Sequence, residues 1–260
     1  MADHHCKQGG NMAVKFVVGD TVFVPSSRIE GLDDLPSVFW QTRVAEVENK
    51  KIKVSLRGGN VSEWIGTSLC HKNVGILILT IGDLETEATL LDPLAKSVLQ
   101  YCRLLVPDDY VRHYKIRSLK ELKTIWQKEQ RNYSHVILIG HGSQQGIKFA
   151  NDGWADPTSI EDAFRVWGAP RKIFVSLCCQ TGYQSIGGAL SEMAVSSHFI
   201  GPFHSVHGAV ASQFAQTFLA YHLLEGETTL VAFRHARENT PGSTSFRLWR
   251  NGNLTAGPKT

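Results

Sequence analysis

Two adjacent cysteines end an apolar run in the stretch KIFVSLCCQTGY, from Lys172 to Tyr183. The run from Ile173 to Leu177 has the length of a buried strand, and Thr181 and Gly182 follow closely. A cysteine at the end of a strand is either a small apolar residue of the core or a nucleophile that attacks as thiolate. The stretch therefore predicts either one catalytic thiol or two packing thiols.

A histidine between glycines ends a second apolar strand, where Gly140-His141-Gly142 follows Val136 to Ile139. In an open parallel sheet, sites form beyond the carboxyl ends of the strands, and neighbouring strands lie ~5 Å apart. An imidazole beside a thiol supplies a base that helps to form thiolate and an acid for the leaving group. Gly142 could expose a backbone N–H to an oxyanion. The two strand ends together predict thiol nucleophilic catalysis, and a turn-capping histidine beside core cysteines is the structural alternative.

Strands and helices alternate from Gly75 to the end of the chain, which predicts an α/β fold. We expect a mostly parallel sheet flanked by helices on both faces, preceded by a small antiparallel β module. The predicted strands are GILILTIGD, DYVRHYKIRS, SHVILIGHG, KIFVSLCC, HFIGPF and SFRLWRNG. The predicted helices are DPLAKSVLQYCRLLV, SLKELKTIWQKEQ, SIEDAFRVWG, GGALSEMAV, AVASQFAQTFLAYHLLEG and TTLVAFRHAREN, and Ser159 or Thr158 is expected to cap the third of them.

The first part of the chain has a different sequence pattern, with short runs of alternating apolar and polar residues over residues 14–66. Glu48-Asn49-Lys50-Lys51 reads as a hairpin turn between two of these runs. The stretch GDTVFVP and the later Trp64 resemble, weakly, small barrels of the Tudor or chromo kind. We predict a β module over residues 1–70 and a larger domain over 71–260, and the module either binds a partner or packs in place.

Composition narrows the functional classes. The chain has 260 residues, of which 42% are hydrophobic, and its net charge is +3 without a long basic block, so nucleic acid is not indicated. The first fifteen residues lack the apolar core of a secretory signal, and the longest apolar run, Val74 to Ile81, is far shorter than the ~20 residues of a membrane span. Five cysteines, with no CxxC or HxxxH spacing, predict neither a disulfide framework nor a metal site. We expect a soluble cytoplasmic protein without a cofactor.

The motifs VILIGHG and IFVSLCCQTG resemble those of the caspase-like cysteine peptidases, the group of caspases, metacaspases, separases and CHAT domains. The CHAT branch is the most similar, because its second motif commonly reads Ser-Ala-Cys-Glu-Thr-Gly. The later stretches FIGPF, AFRHAREN and SFRLWRNG also resemble family elements, and the resemblance covers roughly residues 75–253. It implies a caspase-like fold and a protease without a cofactor.

The resemblance assigns roles residue by residue. His141 would be the general base and acid, and Cys179 the nucleophile, because Cys179-Gln180-Thr181-Gly182 aligns with Cys-Glu-Thr-Gly. Cys178 would then be a packing thiol, although a shift by one residue would make it the nucleophile instead. The family also implies an oxyanion hole from the backbone N–H groups of Gly142 and Cys179, with no acidic third partner.

Substrate preference is less defined by the motifs. Metacaspases have Asp two residues before the nucleophile to hold a basic substrate residue, and that position is Leu177 here. Asp152 and Asp156, on the loop after His141, could supply a negative pocket or simply face solvent. We expect a preference for an apolar or small residue before the cleaved bond.

The resemblance predicts a Cys-His endopeptidase that cleaves protein substrates as a regulated effector. CHAT domains often await a sensor protein or a small-molecule signal, including in microbial and antiphage defence. Two alternatives remain: a catalytically silent module that binds a partner, and another thiol hydrolase or acyltransferase on a similar sheet.

Overall fold

A computed structural model describes residues 16–30, 39–70, 75–82, 85–106 and 110–259 of the chain. Its strands are β1 (Thr21–Pro25), β2 (Phe39–Glu48), β3 (Lys51–Val54), β4 (Ile65–Gly66), β5 (Ile76–Ile81), β6 (Val111–Ile116), β7 (His135–Gly140), β8 (Ile147–Phe149), β9 (Gly153–Ala155), β10 (Lys172–Ser176), β11 (Ser196–Pro202), β12 (Phe246–Arg250) and β13 (Asn253–Ala256). Its α-helices are α1 (Asp92–Leu105), α2 (Leu119–Glu129), α3 (Pro157–Phe164), α4 (Ala189–Glu192), α5 (Gly208–Leu219) and α6 (Thr229–Asn239).

The larger sheet has seven strands in the order β13-β12-β11-β10-β7-β5-β6. The strands from β11 to β6 are parallel, and β12 and β13 form an antiparallel hairpin at one edge. Central strands such as β5 are buried along their whole length, as expected when helices cover both faces of a parallel sheet. The predicted fold class, an α/β fold with a mostly parallel sheet, is confirmed.

Two hydrophobic layers hold the helices on this sheet. One layer packs α1, α5 and α6 on one face through side chains such as Val98, Phe214 and Phe233. The other packs α2, α3 and α4 on the opposite face, where Trp126 meets Phe164 edge to face at 4.8 Å between ring centroids. Helix α2 begins at its predicted cap, because Ser118 accepts a hydrogen bond from the Glu121 N–H.

The first strands form a separate antiparallel sheet in the order β1-β2-β3-β4 with a small core of its own. The predicted hairpin joins β2 and β3, with Glu48 opposite Lys51 and Asn49 in the left-handed region at φ 50°. This small sheet contacts the large sheet at Lys172, the first residue of β10. The Lys172 side chain is fully buried, and its nitrogen donates a hydrogen bond to the Gln41 side chain of β2.

Three local expectations differ from the structure. The cap of α3 is Asp156, which accepts from the Ser159 N–H at 2.8 Å, so the expected Ser159 or Thr158 cap is wrong. Of the predicted GGALSEMAV helix only Ala189–Glu192 is α-helical, and a π-helical turn, Gln184–Gly188, precedes it. The β8–β9 hairpin was not predicted, because its strands have only three residues each. None of the helices in the described part of the chain is long and apolar enough to cross a membrane.

Candidate active site

The register of two neighbouring strands brings His141 and Cys179 to the same level. In the parallel pair β7 and β10, Leu138 lies opposite Ser176, and the Leu177 N–H extends the ladder to the Leu138 carbonyl at 2.8 Å. Three residues beyond that pair the chain reaches His141 on one strand and Cys179 on the other. Both residues therefore lie beyond the carboxyl ends of adjacent strands, where the sequence predicted them.

Gly142 packs directly against the backbone of the cysteine loop. A Cβ atom at this position would lie 2.3 Å from the Cys179 carbonyl oxygen and 2.9 Å from the Cys178 Cβ. Any side chain would force the two loops apart, so the contact requires glycine here for close approach. The histidine loop and the cysteine loop thus touch through Gly142.

The backbone N–H groups of Gly142 and Cys179 have no hydrogen-bond partner among the residues that the structure describes. The neighbouring groups are engaged: the His141 carbonyl accepts from Lys148, and the Cys178 N–H donates to the Ser176 hydroxyl at 3.3 Å. Two free N–H donors beside a thiol are what an oxyanion hole needs.

Thr86 holds the imidazole of His141 from a third loop. The Thr86 hydroxyl lies 2.6 Å from His141 Nε2, on the loop that follows β5, the other neighbour of β7. The next residue, Glu87, forms ion pairs with Arg117 and Lys115, and these two cations lower the pKa of its carboxyl group. The loop is therefore fastened to β6 on the side away from the histidine. Sequence reasoning missed Thr86, although its place after the strand next to β7 could have indicated it.

The Cys179 thiol is in contact with a fourth loop. Its Sγ lies 3.9 Å from the Val206 carbonyl oxygen, on the segment that follows β11. Four adjacent strands, β5, β7, β10 and β11, thus each supply one loop to the site. In this state the thiol donates to Val206 and the imidazole bonds to Thr86, and no hydrogen bond joins Cys179 to His141 in the described part of the chain.

Burial separates the two adjacent cysteines. Cys178 is fully buried, and burial raises the pKa of its thiol to about 12. Its Sγ packs near the Leu138 carbonyl at 3.8 Å, inside the layer beneath the site. Cys179 is partly exposed. Since the thiolate is the nucleophile, Cys178 has the environment of an inert packing thiol.

The residues after Cys179 lock the loop in place. Gln180 has φ 60°, a left-handed conformation that costs energy for a residue with a Cβ. Thr181 is fully buried, and its hydroxyl lies 2.8 Å from both the Ser176 hydroxyl and the Cys178 carbonyl. The carbonyl of Gly182 accepts from Trp249 Nε1 at 3.0 Å. The hydrogen bonds of Thr181 and Gly182, the two residues after Gln180, thus hold the strained turn in place.

The three residues predicted to bind substrate lie in structural positions. Leu177 is 4% exposed and packs in the layer with α1 and α5. Asp152 accepts from the Leu119 N–H at 2.6 Å, at the start of α2, and Asp156 caps α3. Their role with substrate stays a prediction. Among the described residues no three His, Cys, Asp or Glu side chains are grouped to hold a metal ion.

Comparison with known proteins identifies the fold. No family model matches the sequence. No curated protein matches it either. Among solved structures, an inactive zymogen of a C11 protease from Parabacteroides distasonis matches with a TM-score of 0.51 and 10% identity over 69% of this chain and 63% of that one. This similarity shows a shared caspase-like fold.

Two further structures are similar, both secreted C11 cysteine proteases from Bacteroides thetaiotaomicron. One is bound to an irreversible peptide inhibitor and matches with a TM-score of 0.47 and 10% identity over 64% of this chain and 58% of that one. The other, iotapain, matches with a TM-score of 0.48 and 8% identity over 68% and 66%. The chain thus spans less than two thirds of the length of each of these three proteins.

Proposed function

We propose that this chain is a cysteine endopeptidase that cleaves protein substrates with Cys179 as nucleophile and His141 as general base and acid. The observation that carries the proposal is the meeting of His141, Gly142 and Cys179 at the ends of β7 and β10, with two free N–H groups beside the thiol. The fold shared with a C11 protease zymogen supports the same reaction class.

The reaction follows from the chemistry of these groups. Cys179 Sγ bonds to the carbonyl carbon of the substrate while its proton passes to His141. The oxyanion accepts hydrogen bonds from the Gly142 and Cys179 N–H groups. The imidazolium then protonates the leaving amine, and a thioester remains on Cys179. A water that gives its proton to His141 hydrolyses the thioester, which releases the carboxylate and restores the thiol.

Thr86 acts as a positioning residue in this scheme. Its hydroxyl engages Nε2 of His141, so the other ring nitrogen, Nδ1, is left to exchange protons with Cys179 and substrate. No carboxylate is needed for this orientation. The tie between Glu87 and the cations of β6 keeps the hydroxyl in place.

The regulatory part of the proposal rests on the resemblance to CHAT domains. The larger domain, residues 71–260, acts as a cytoplasmic effector that a sensor protein or a small-molecule signal activates, in microbial defence. The β module, residues 1–70, is the accessory unit. The contact between the Cys179 thiol and Val206 is compatible with a resting state in which the thiol has not yet turned to His141.

A survey of new protein N-termini tests the proposal. A proteome is incubated with wild type, Cys179→Ala or Cys178→Ala, and the cut sites are read by mass spectrometry. We expect the same cuts from wild type and Cys178→Ala, and none from Cys179→Ala. Identical cuts from Cys179→Ala would exclude the proposed nucleophile. Turnover of small amides or thioesters without any peptide cleavage would favour the other thiol hydrolases instead.

A further inference from the structure

A cavity lined by many polar residues lies at the amino ends of the central strands, opposite the end that carries the candidate active site. Its volume is about 570 Å³, within the range of cavities that hold small-molecule ligands. Ser134 and Arg171 line it just before β7 and β10 begin, and His198 lines it near the start of β11. At ~3.3 Å per residue, the length of the strands separates this cavity from Cys179 by roughly 20 Å.

Three parts of the molecule form the walls of the cavity. The small antiparallel sheet contributes Thr21 and Gln41, and the end of β12 contributes Arg250. The loop before α6 and the first turn of that helix supply Thr228 and Thr229. Hydroxyl groups and one amide therefore surround the space, and these groups can bond to a polar ligand.

Positive charge dominates the lining. Arg171 and Arg250 both line the cavity, and neither guanidinium group forms an ion pair or hydrogen bond with the described residues. Glu227 is the one carboxylate among the described lining residues. Guanidinium groups bind phosphate through charge-assisted, often bidentate, hydrogen bonds.

A buried histidine marks the inner wall. His222 is 4% exposed and lines the cavity, and its Nδ1 donates to the Glu227 carbonyl at 2.6 Å. Its Nε2 has no partner within the described part of the chain. The ring of His135 stands 5.1 Å behind it and likewise has an unpartnered Nε2. Both ring nitrogens of His222 are thus turned away from the space, and a ligand meets the apolar part of the ring at the inner wall.

We propose that this cavity binds a phosphorylated small molecule of mononucleotide size. Its phosphate contacts Arg171 and Arg250, and its other end packs against the His222 ring. The ligand would contact the β module and the amino ends of β7, β10 and β11 at once. The proposal does not depend on the peptidase activity, because no residue of the candidate active site takes part.

Calorimetric titration of the full chain tests the proposal, with adenosine 5′-monophosphate as the probe and adenosine and pyrophosphate as comparisons. We expect saturable, one-to-one binding of the nucleotide and a raised melting temperature. Adenosine should bind at least about tenfold more weakly, because it lacks the charged hydrogen bonds of the phosphate. Pyrophosphate should bind, but more weakly than the nucleotide, because it has no ring to pack against His222.

Variants identify the site. Arg171→Gln and Arg250→Gln should each weaken nucleotide binding by about tenfold or more, since each removes a charged donor. Both side chains are exposed, so these variants should keep their fold. Arg165→Gln, which changes an exposed arginine after α3, is the matched control and should bind like wild type. The proposal is overturned if the nucleotide shows no saturable binding at millimolar concentration, if adenosine binds equally well, or if both cavity variants bind like wild type.

Discussion

At the scale of single residues, the orientation of the His141 ring depends on one hydroxyl group, that of Thr86. Thr86→Val keeps the shape of the side chain but removes the hydrogen bond to Nε2. We expect a lower rate constant for cleavage and an altered pH profile, because the ring can then rotate and its proton can move to the other nitrogen. The loss should be smaller than the ~10²–10⁴-fold of the acid–base group itself. Thr86→Ser should restore the wild-type profile; if Thr86→Val has that profile too, the hydroxyl does not position the ring.

The cysteines should differ in reactivity because they differ in burial. Burial raises the pKa of the Cys178 and Cys102 thiols to about 12 and that of Cys70 to about 11. These three thiols are protonated at neutral pH and should react slowly with iodoacetamide. At a limiting dose we expect Cys179 to be labelled before them, as peptide mapping would detect. Cys6 lies outside the described residues. Labelling of Cys178 first would move the nucleophile by one position.

At the scale of elements, the site depends on how closely the loops after β7 and β10 approach each other. Gly142→Ala places a methyl group 2.3 Å from the Cys179 carbonyl oxygen, so the loops must separate. We expect cleavage to be lost and the free energy of unfolding to fall by about 1–3 kcal/mol, as for other overpacked positions. Kinetics and urea unfolding measure both effects.

A second glycine provides the control for that variant. Gly208 is the first residue of α5, and a Cβ atom there would meet only Leu90 at an ordinary 3.7 Å. Gly208→Ala should therefore keep both activity and stability. If Gly142→Ala behaves like Gly208→Ala, the close contact between the two loops is unimportant for the reaction.

The elements that carry the chemistry could be predicted because their signals are local. Buried strands read as continuous apolar runs, so β7 and β10, with His141 and Cys179 at their ends, are visible in the sequence. Thr86 and Val206 could not be found in that way. They lie on loops without a pattern, and their role follows from the spatial order of β5, β7, β10 and β11. The structural role of Asp152 could not be predicted either, because the Leu119 N–H that it accepts from, at the start of α2, lies 33 residues away in the sequence.

At the scale of the whole molecule, buried histidines should make stability depend on pH. Burial lowers the pKa of His198 to about 4, that of His135 well below its usual 6.5, and that of His222 less strongly. These rings hold protons less readily in the folded protein than in the unfolded chain, so unfolding takes up protons once the pH is near or below about 6.5. The unfolded state then binds more protons, so stability should fall as the pH drops from 6.5 towards 4, by up to about 1.4 kcal/mol per pH unit for each histidine.

Urea unfolding at pH 7 and pH 5 measures this dependence. His135→Gln removes the most deeply buried ring and should reduce the difference between the two pH values. His204→Gln, which removes an exposed imidazole, should leave it unchanged. Equal stability of the wild type at both pH values would show that the buried rings are not neutral in the folded protein.

The central claim, that His141 and Cys179 form a catalytic dyad, is tested most directly with His141→Ala. Cleavage rate and thermal melting are measured on the same purified protein, with a peptide taken from the survey of cut sites. His141 is half-buried beyond the carboxyl end of β7. Its replacement by alanine should therefore leave no core cavity and change the melting temperature little. We predict that the rate falls by ~10²–10⁴-fold or more, because the leaving amine has lost its proton donor. His235→Ala, on α6, should cleave like the wild type. Cleavage by His141→Ala at the wild-type rate, or a collapse of its melting temperature, would contradict the account.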